Sequence, residues 1–247
     1  EEEKFFKEQA GILAEKLGLQ VDFLSKDEVS KLEKGTATNV IGGVHYKSDA
    51  HVYPQKFMQF IKEELNRLNV KIHSQTTVND FVLKNNTVAE IVTDKGNFTT
   101  DEVVLATGSW SPHIAKKLNV NISILPGKGY SFTLKDQNHK PSIPTILCEG
   151  KVAVTPMNND IRFGGTMEIT HTNDTKINQN RLQGIVNSVN DFYPDLKIEM
   201  PKVEDTWFGF RPCTPSGMPI IARDKKLKNL TLVTGHAMMG LSLAPAT

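Results

Sequence analysis

"DEVVLATGSWSPHI", residues 101–114, decides the fold class expected of this 247-residue chain. The four apolar residues at 103–106 follow one another without a polar residue between them. Such a run is typical of a strand that is buried on both faces, as in a parallel sheet. It ends at Thr107-Gly108-Ser109, where backbone amides could face a ligand at the carboxyl end of the sheet. A strand that simply ends in a turn is the alternative interpretation.

A second stretch, "NLTLVTGHAMMGLSLAPAT" at 229–247, repeats this pattern. A strand ends in Thr-Gly, and Gly240 then opens a helix. The amino end of a helix offers free N–H groups and a positive dipole to a phosphate or a polarised carbonyl. His236 is a candidate ligand or base, and Met238 and Met239 are candidates for contact with a flat ring. Glycine caps in an ordinary strand-to-helix connection would explain the same residues without a ligand.

The stretch "WFGFRPCTPSGMPI" at 207–220 contains a single charged residue, Arg211, among aromatic residues and prolines. An unpaired charge away from water is costly, so a buried arginine needs an anion. A guanidinium group matches a carboxylate with two parallel hydrogen bonds. The partner of Arg211 is therefore either the carboxylate of a ligand or a protein acid such as Glu204 or Asp205. A surface arginine that stacks on the aromatic rings is the third alternative.

The rest of the sequence predicts a mixture of helices and strands. Apolar residues at helical spacing indicate helices, and runs of β-forming residues between Asn or Gly turns indicate strands. Helices are expected before Gly18 (with Phe6, Ala10, Leu13 and Leu17 on one face), after a cap at Ser25, from Pro54, and before Tyr193-Pro194. Strands are expected at 70–75 ("VKIHSQ"), in a meander with a turn at Asn85-Asn86, within 122–170, and near the carboxyl end.

Composition excludes several classes of function. The formal charge of +1 gives no electrostatic reason to expect nucleic acid or an anionic membrane as partner. The apolar runs are far shorter than the roughly 20 residues of a membrane helix. Cys148 and Cys213 lie far apart without metal-ligand spacing, and so few cysteines favour a reducing compartment, hence the cytoplasm. There is no P-loop, no Gly-x-Ser-x-Gly elbow and no Gly-x-Gly-x-x-Gly.

Six segments, in this order, resemble the FAD-dependent amine oxidoreductases of the D-amino-acid oxidase superfamily. The branch that they resemble contains D-amino-acid dehydrogenase, glycine oxidase and sarcosine oxidase. The segments span nearly the whole chain, and the last two are the most specific. They are "DAHVYPQKFMQFIKEEL" (49–65), "VVLATGSWSPHI" (103–114), "LPGKGY" (125–130), "VTPMNNDIRFGGTMEI" (154–169), "WFGFRPCTPSGMPIIAR" (207–223) and "VTGHAMMGLSLAPAT" (233–247).

The resemblance implies an α/β fold combined with an α+β fold. A partial Rossmann-like FAD-binding domain would comprise 49–122 and 206–247. A substrate-binding domain with a mostly antiparallel sheet would comprise 1–48 and 123–205. The amino-terminal βαβ unit of the family, whose glycine loop holds the FAD pyrophosphate, has no counterpart in these residues. We therefore expect a fragment of a longer enzyme, inactive by itself.

The resemblance also assigns roles to particular residues. Arg211 occupies the arginine position of the "G-RP" motif of the family, which pairs with the substrate carboxylate, so it is the expected catalytic and substrate-binding residue. Met238 stands at a substrate-binding position where glycine-oxidase-like relatives carry a second arginine. The expected FAD-binding residues are Val78 at the adenine, Thr107, Gly108, Ser109 and Trp110 beside the flavin, and Gly235, His236, Met239 and Gly240 at the pyrimidine end of the ring.

The function that the resemblance implies is oxidative deamination of an amino or imino acid by hydride transfer to FAD. The expected partner is a small-molecule substrate, an amino acid. The electron acceptor is left open, and no metal is expected. The stretch "GHAMMGLSLAPAT" favours a dehydrogenase, but the sequence leaves the choice between oxidase and dehydrogenase open. The alternative is a non-enzymatic domain that binds a small carboxylate or a partner, because the glycine loop is missing.

Overall fold

The computed structural model describes residues 12–137 and 139–247. The chain divides into two compact units, each made of three chain segments. Unit 1 comprises Glu1–Lys62, Tyr130–Thr166 and Lys176–Phe208, and unit 2 comprises Glu63–Gly129, Met167–Thr175 and Gly209–Thr247. The assignment of FAD and substrate to separate domains stays a prediction.

The described residues form helices and strands in a mixed order. The helices are α1 (Ile12–Lys16), α2 (Lys26–Leu32), α3 (Pro54–Arg67), α4 (Ser111–Lys117), α5 (Gln179–Phe192) and α6 (Gly240–Leu243). The strands are β1 (Val21–Ser25), β2 (Gly42–Tyr46), β3 (Val78–Lys84), β4 (Thr87–Thr93), β5 (Gly96–Thr99), β6 (Val103–Leu105), β7 (Leu125–Leu134), β8 (Thr145–Leu147), β9 (Val152–Met157), β10 (Asp160–Ile169), β11 (Thr206–Cys213), β12 (Ile220–Arg223) and β13 (Leu230–Thr234). None of the described helices is both long enough and apolar enough to cross a membrane.

Within the described residues these strands form four sheets. Their strand orders are β1-β2, β11-β7-β10-β9-β8, β12-β13-β6 and β3-β4-β5. β6 and β13 are parallel neighbours, with Val103 opposite Leu230 and Leu105 opposite Leu232. The continuous apolar run of the sequence therefore lies in a parallel pair, as predicted.

The core of unit 1 forms where α5 packs against the inner residues of β9 and β10. The side chains are spaced so that one face of α5 is apolar along its length. The buried residues include Leu182, Ile185, Val186 and Val189 of α5, and Val152, Val154, Ile161 and Phe163 of the strands. α5 begins after Asn178, whose side chain accepts a hydrogen bond from the Arg181 amide, and ends at Tyr193. The helix predicted before Tyr193-Pro194 is confirmed.

The core of unit 2 joins α4, the β12-β13-β6 sheet and β4. Its buried residues are Val88, Val103, Leu105, Ala115, Leu118, Val120, Leu227, Leu230 and Leu232. The buried side chain of Asn229 ties two of these elements together. Its Oδ1 accepts from the Val88 amide at 2.8 Å, and its Nδ2 donates to the Val88 carbonyl at 3.0 Å. The residue before β13 is thereby fixed to β4, and both backbone polar groups of Val88 have a hydrogen-bond partner.

Local signals placed several elements correctly. Ser25 caps α2, and Glu28 completes a capping box by accepting from the Ser25 amide at 2.8 Å. The hydrogen bonds from Ser25 hold the pKa of the Glu28 carboxyl below its usual value of 4.5. Asn85 and Asn86, with φ of 52° and 59°, form the tight turn between β3 and β4. Positive φ at both central residues is the requirement of a type I′ hairpin turn.

The local structure differs from the sequence predictions at several places. The strand predicted at 70–75 is wrong, because no described strand pairs with these residues and Val70 and Ile72 are each 45% exposed. β2, β11 and β12 were missed, and the two glycines that open β2 hide its alternation. Of the predicted opening helix the structure describes α1, while Phe6 and Ala10 lie outside the described residues.

Candidate functional site

The candidate site lies in unit 2, where β6 and β13 end side by side. Because the two strands are parallel, the segments that leave their carboxyl ends start from the same edge of the sheet. Each segment contains a glycine with positive φ, Gly108 at 55° and Gly235 at 83°. A Cβ at Gly235 would lie 2.6 Å from Thr214 Cγ2, so both conformation and space require glycine there.

Three hydroxyl groups connect the two strand ends. Thr107 Oγ1 donates to Ser111 Oγ at 3.0 Å, and Ser111 Oγ donates to Thr234 Oγ1 at 3.0 Å. Thr234 Oγ1 in turn donates to the Gly108 carbonyl at 3.2 Å. Ser111 and Thr234 are buried, so each of these hydrogen bonds is protected from water. The chain of hydroxyls therefore fixes the turn after β6 against the end of β13.

The turn after β6 combines a buried polar atom with an exposed ring. Gly108–Trp110 forms a single 3₁₀ turn that leads into α4. The Ser109 side chain is buried, and its Oγ has no hydrogen-bond partner among the described residues. The Trp110 side chain, by contrast, is 49% exposed. This hydroxyl can therefore form a hydrogen bond with a group that the described residues do not supply, as can those of Thr36, Thr38 and Thr166 elsewhere.

Arg211 also has a buried polar atom without a hydrogen-bond partner among the described residues, and this atom belongs to a charged group. Arg211 lies in β11, and its Nη1 is buried with no hydrogen-bond partner among the described residues. The structure records no ion pair between Arg211 and a described carboxylate. Its guanidinium lies over Gly129 of β7, where a Cβ would overlap Nη1. Arg211 as a whole is half-buried, but a buried N–H group without an acceptor is costly, so this atom points to an acceptor that the described residues do not supply.

Two contacts bring Arg211 to the strand ends. The ring of Phe210, next to Arg211, meets the Trp110 ring edge-on with centroids 5.9 Å apart. Cys213, two residues further on, forms an isolated antiparallel bridge with His236. The turn after β6, the turn after β13 and the end of β11 therefore form one cluster.

The turn after β13 carries most of the other predicted residues. Ala237–Met239 is a 3₁₀ turn, and Gly240 begins the four-residue helix α6. Met238 and Met239 are 71% and 54% exposed. His236 Nε2 lies 3.2 Å from Thr247 Oγ1. The exposed thioethers together with Trp110 provide an apolar surface that suits a flat ring.

Val78 stands apart from this cluster. It begins β3 and pairs with Thr93 in the β3-β4-β5 sheet. The structure thus gathers eight of the nine predicted cofactor residues around the ends of β6 and β13, and it places Val78 in a neighbouring sheet of the same unit. Its expected role at the adenine stays a prediction.

Sequence reasoning missed four residues that shape the cluster. Ser111 and Thr234 supply the hydroxyl chain, Phe210 supplies the ring contact, and Gly129 makes room for the guanidinium. Gly129 was within reach of sequence analysis, because glycines alternate with lysine in "LPGKGY" and mark one face of a strand. The hydroxyl chain joins residues far apart in sequence, and no local pattern announces it.

Residues of the cluster fit a flavin-type group. They offer an exposed apolar surface, two turns whose glycines leave the backbone open, and two buried polar atoms that lack partners. Thr107, Gly108, Ser109 and Trp110 on one side, and the turn after Gly235 on the other, would hold such a group.

The whole chain, residues 1–247, matches the model of the DAO family, FAD dependent oxidoreductase. The chain therefore belongs to this family. A D-amino acid dehydrogenase from Neisseria gonorrhoeae (strain NCCP11945) is 31% identical over 255 residues, which cover 100% of this chain and 59% of that protein. One from Helicobacter pylori (strain ATCC 700392 / 26695) is 29% identical over 224 residues, covering 90% of this chain and 53% of that protein. The chain thus spans little more than half the length of these relatives.

Solved structures agree with this family. Glycine oxidase from Bacillus cereus ATCC 14579 superimposes with a TM-score of 0.86 at 26% identity, covering 99% of this chain and 66% of that chain. L-proline dehydrogenase from P. horikoshii superimposes with a TM-score of 0.87 at 22% identity, again covering 99% and 66%, and this likeness concerns the fold alone. The predicted fold class and the resemblance to an FAD-dependent family are confirmed.

Proposed function

We propose that this protein catalyses the oxidative deamination of an amino or imino acid, with FAD as hydride acceptor and Arg211 as the carboxylate-binding residue. The observation that carries the proposal is the Nη1 of Arg211, which is buried with no hydrogen-bond partner among the described residues, in a strand that bridges through Cys213 to the turn after β13. The names of the relatives favour a dehydrogenase of D-amino acids. A cytoplasmic location and the electron acceptor stay open to measurement.

Chemistry at this site requires little from the protein beyond orientation. FAD, when bound, supplies a two-electron acceptor that takes up the α-hydrogen as hydride. Arg211 would hold the carboxylate by charge-assisted hydrogen bonds, which limits the positions that the α-carbon can take. The hydroxyl chain through Ser111 and Thr234 would keep the two turns in place around the cofactor.

Replacing Arg211 tests the proposal. In the FAD-loaded protein at its natural length, we expect Arg211→Ala to lower kcat/KM for the amino acid about 100-fold, since a buried charge-assisted pair is worth about 3 kcal/mol. Arg211→Lys should recover part of this loss, because a lysine keeps the charge without the planar fork. The measurement is steady-state reduction of an artificial electron acceptor with D- and L-amino acids in parallel.

Arg223→Ala is the matched control. Arg223 is an exposed arginine in the next strand that pairs with Glu102, so its loss should leave kcat/KM within about twofold. An Arg211→Ala variant that keeps wild-type kcat/KM would remove Arg211 from the site. Amino acid binding that depends on Arg211, with no reduction of the bound flavin, would support the alternative of a non-enzymatic carboxylate-binding domain.

A further inference from the structure

Two glycines of β7 lie beneath two side chains of β11. A Cβ at Gly129 would overlap the Arg211 guanidinium, and a Cβ at Gly127 would lie 2.9 Å from Cys213 Sγ. Alternate residues of a strand point to the same face, so Gly127 and Gly129 share one face of β7. Arg211 and Cys213 likewise share one face of β11. The thiol and the guanidinium therefore lie side by side on the same surface of the sheet.

Spacing along β11 brings this thiol within reach of a bound carboxylate. Same-face neighbours on a strand are about 7 Å apart. A carboxylate oxygen that accepts a hydrogen bond from Arg211 would lie about 2.9 Å from the guanidinium. When the ligand extends from Arg211 along β11, two further covalent bonds place its α-carbon most of the way towards Cys213. The atom of the ligand that carries the side chain would then face the thiol.

Cys213 is held in place without being closed off. Its Sγ lies 3.8 Å from Met167 Sδ and 3.5 Å from the Arg211 carbonyl. It is a half-buried cysteine, and so is Cys148 in unit 1. Cys148 Sγ lies 3.7 Å from the Ile146 carbonyl, so each thiol contacts the carbonyl of the residue two positions before it. They differ in that Cys213 lies beside Arg211.

We propose that Cys213 lines the carboxylate site of Arg211, contacts the α-substituent of the bound amino acid, and limits the size of that substituent. The inference deepens the proposed function and rests on it in one respect, the binding of a carboxylate by Arg211. It has a chemical consequence that is independent of turnover. A small halocarboxylate bound by Arg211 presents its carbon to the thiol, so Cys213 should be alkylated faster than an ordinary cysteine.

Iodoacetate and iodoacetamide separate this effect from simple reactivity. With either reagent the Cys213 thiolate attacks the methylene carbon, a C–S bond forms, the C–I bond breaks, iodide leaves, and the thiol proton goes to solvent. Only iodoacetate carries the carboxylate that Arg211 would bind. The FAD-loaded protein is treated with each reagent separately, and the alkylation rates of Cys213 and Cys148 are followed by peptide mass spectrometry.

We expect the ratio of the Cys213 alkylation rate to the Cys148 alkylation rate to be about tenfold larger with iodoacetate than with iodoacetamide. A tenfold difference corresponds to a binding preference for the carboxylate of about 1.4 kcal/mol. D-alanine should slow the alkylation of Cys213 and leave Cys148 unaffected. In the Arg211→Met variant, the rate ratio measured with iodoacetate should equal the rate ratio measured with iodoacetamide. Gly129→Ala should do the same while keeping the arginine, because the added Cβ displaces the guanidinium.

Equal ratios for the two reagents in the wild-type protein would overturn the inference. If labelled D-alanine still binds in equilibrium dialysis and Arg211→Met abolishes that binding, the proposed function survives such a result. Failure of the wild-type protein to bind any amino acid would instead count against the proposed function.

A size series tests the second part of the inference. We expect Cys213→Ala to raise kcat/KM for longer side chains about fivefold relative to D-alanine, because one sulfur atom no longer limits the space. The same ratio in the variant and the wild type would show that the substituent does not meet Cys213.

Discussion

Arg211 is an arginine whose surroundings are incomplete within the described chain. Its Nη1 is buried without an acceptor, and the backbone beneath it is a glycine whose missing side chain leaves the space that the guanidinium fills. The sequence predicted that this arginine needs an anion, since no acid lies within its aromatic stretch. It left the source of the anion open, because a protein acid can reach any residue through the fold. The structure records no ion pair between Arg211 and a described carboxylate, which favours a ligand as the source of the anion. A substitution at Gly129 tests this interpretation.

Gly129→Ala should impair the site without removing any charge. The new Cβ overlaps Arg211 Nη1, and the flexible end of the arginine can move away at little cost to folding. We expect KM for the amino acid to rise about tenfold, as for one charge-assisted hydrogen bond weakened by about 1.4 kcal/mol. Steady-state kinetics of the FAD-loaded protein measure the effect.

Gly164→Ala serves as the matched strand control. A Cβ there would meet its nearest neighbour at 3.7 Å, an ordinary contact. KM should stay within about twofold, as for surface substitutions elsewhere. A Gly129→Ala variant with unchanged KM would contradict the placement of the guanidinium over this glycine.

Lys128 and Asp174 form an ion pair with unequal burial. Lys128 is fully buried, whereas the Asp174 side chain is 35% exposed, and their charged atoms lie 3.2 Å apart. Asp174→Asn removes an anionic partner of a fully buried ammonium, so we expect a loss of about 3 kcal/mol in the free energy of unfolding. Lys128→Met leaves a carboxylate that water can reach, so its loss should be smaller. Urea denaturation of both variants measures the difference.

Glu102→Gln provides the comparison for an exposed pair. Glu102 and Arg223 are more than half exposed, so breaking this pair should cost less than about 1 kcal/mol. If Asp174→Asn proved no more destabilising than Glu102→Gln, the buried ammonium would have to be satisfied by other groups.

At the scale of the element, the site depends on two strands that end together. Both strands and both Thr-Gly turns were predictable, because continuous apolar runs and glycine breaks are local signals. Their parallel pairing followed only from the assumption of a buried sheet, which the structure confirms. The strand expected at 70–75 shows the limit of such signals, since alternation predicts a strand only where another strand supplies hydrogen bonds.

Thr234→Val should loosen the junction of the two strand ends. Valine has nearly the shape of threonine but cannot bond to Ser111 or to the Gly108 carbonyl, so two buried polar groups lose a partner. We expect a loss of about 2 kcal/mol in the free energy of unfolding. We also expect weaker FAD binding, measured by fluorescence titration, because the turn after β6 is no longer fixed.

Thr234→Ser keeps the hydroxyl and should restore FAD affinity to within about twofold, with a smaller loss of stability from the missing methyl group. Equal FAD affinity in the valine and serine variants would show that the hydroxyl chain does not position the turn.

At the scale of the whole molecule, each of the two units is assembled from separated chain segments. The membership of the chain in an FAD-dependent family was reached from the sequence through six segments in register, and the family model and the solved structures confirm it. Composition and periodicity alone could not have supplied it, because they constrain the fold class and not the ligand. The domain boundaries at 49–122 with 206–247 and at 1–48 with 123–205 came from the resemblance and stay a prediction, since periodicity does not show which distant segments contact one another.

Residues 1–247 by themselves should retain little FAD after purification. They contain no Gly-x-Gly-x-x-Gly, the sequence with which dinucleotide-binding folds hold a pyrophosphate. The cluster around β6 and β13 would then contact only part of the cofactor. The ratio of flavin absorbance near 450 nm to protein absorbance is the measurement. A stoichiometric, yellow preparation of these residues would contradict the expectation.

The pairing of β6 with β13 also governs when the site can form during synthesis. Val103 leaves the ribosome long before Leu230, its partner, so the first strand must wait with one edge uncovered. Contacts between such distant segments slow folding and lengthen the exposure of apolar surface. A nascent chain that ends before Leu230 lacks β13. It therefore also lacks Thr234, whose hydroxyl donates to the Gly108 carbonyl, and the turn at Gly235. The cluster of turns around the ends of β6 and β13 can therefore form only after β13 has been synthesised.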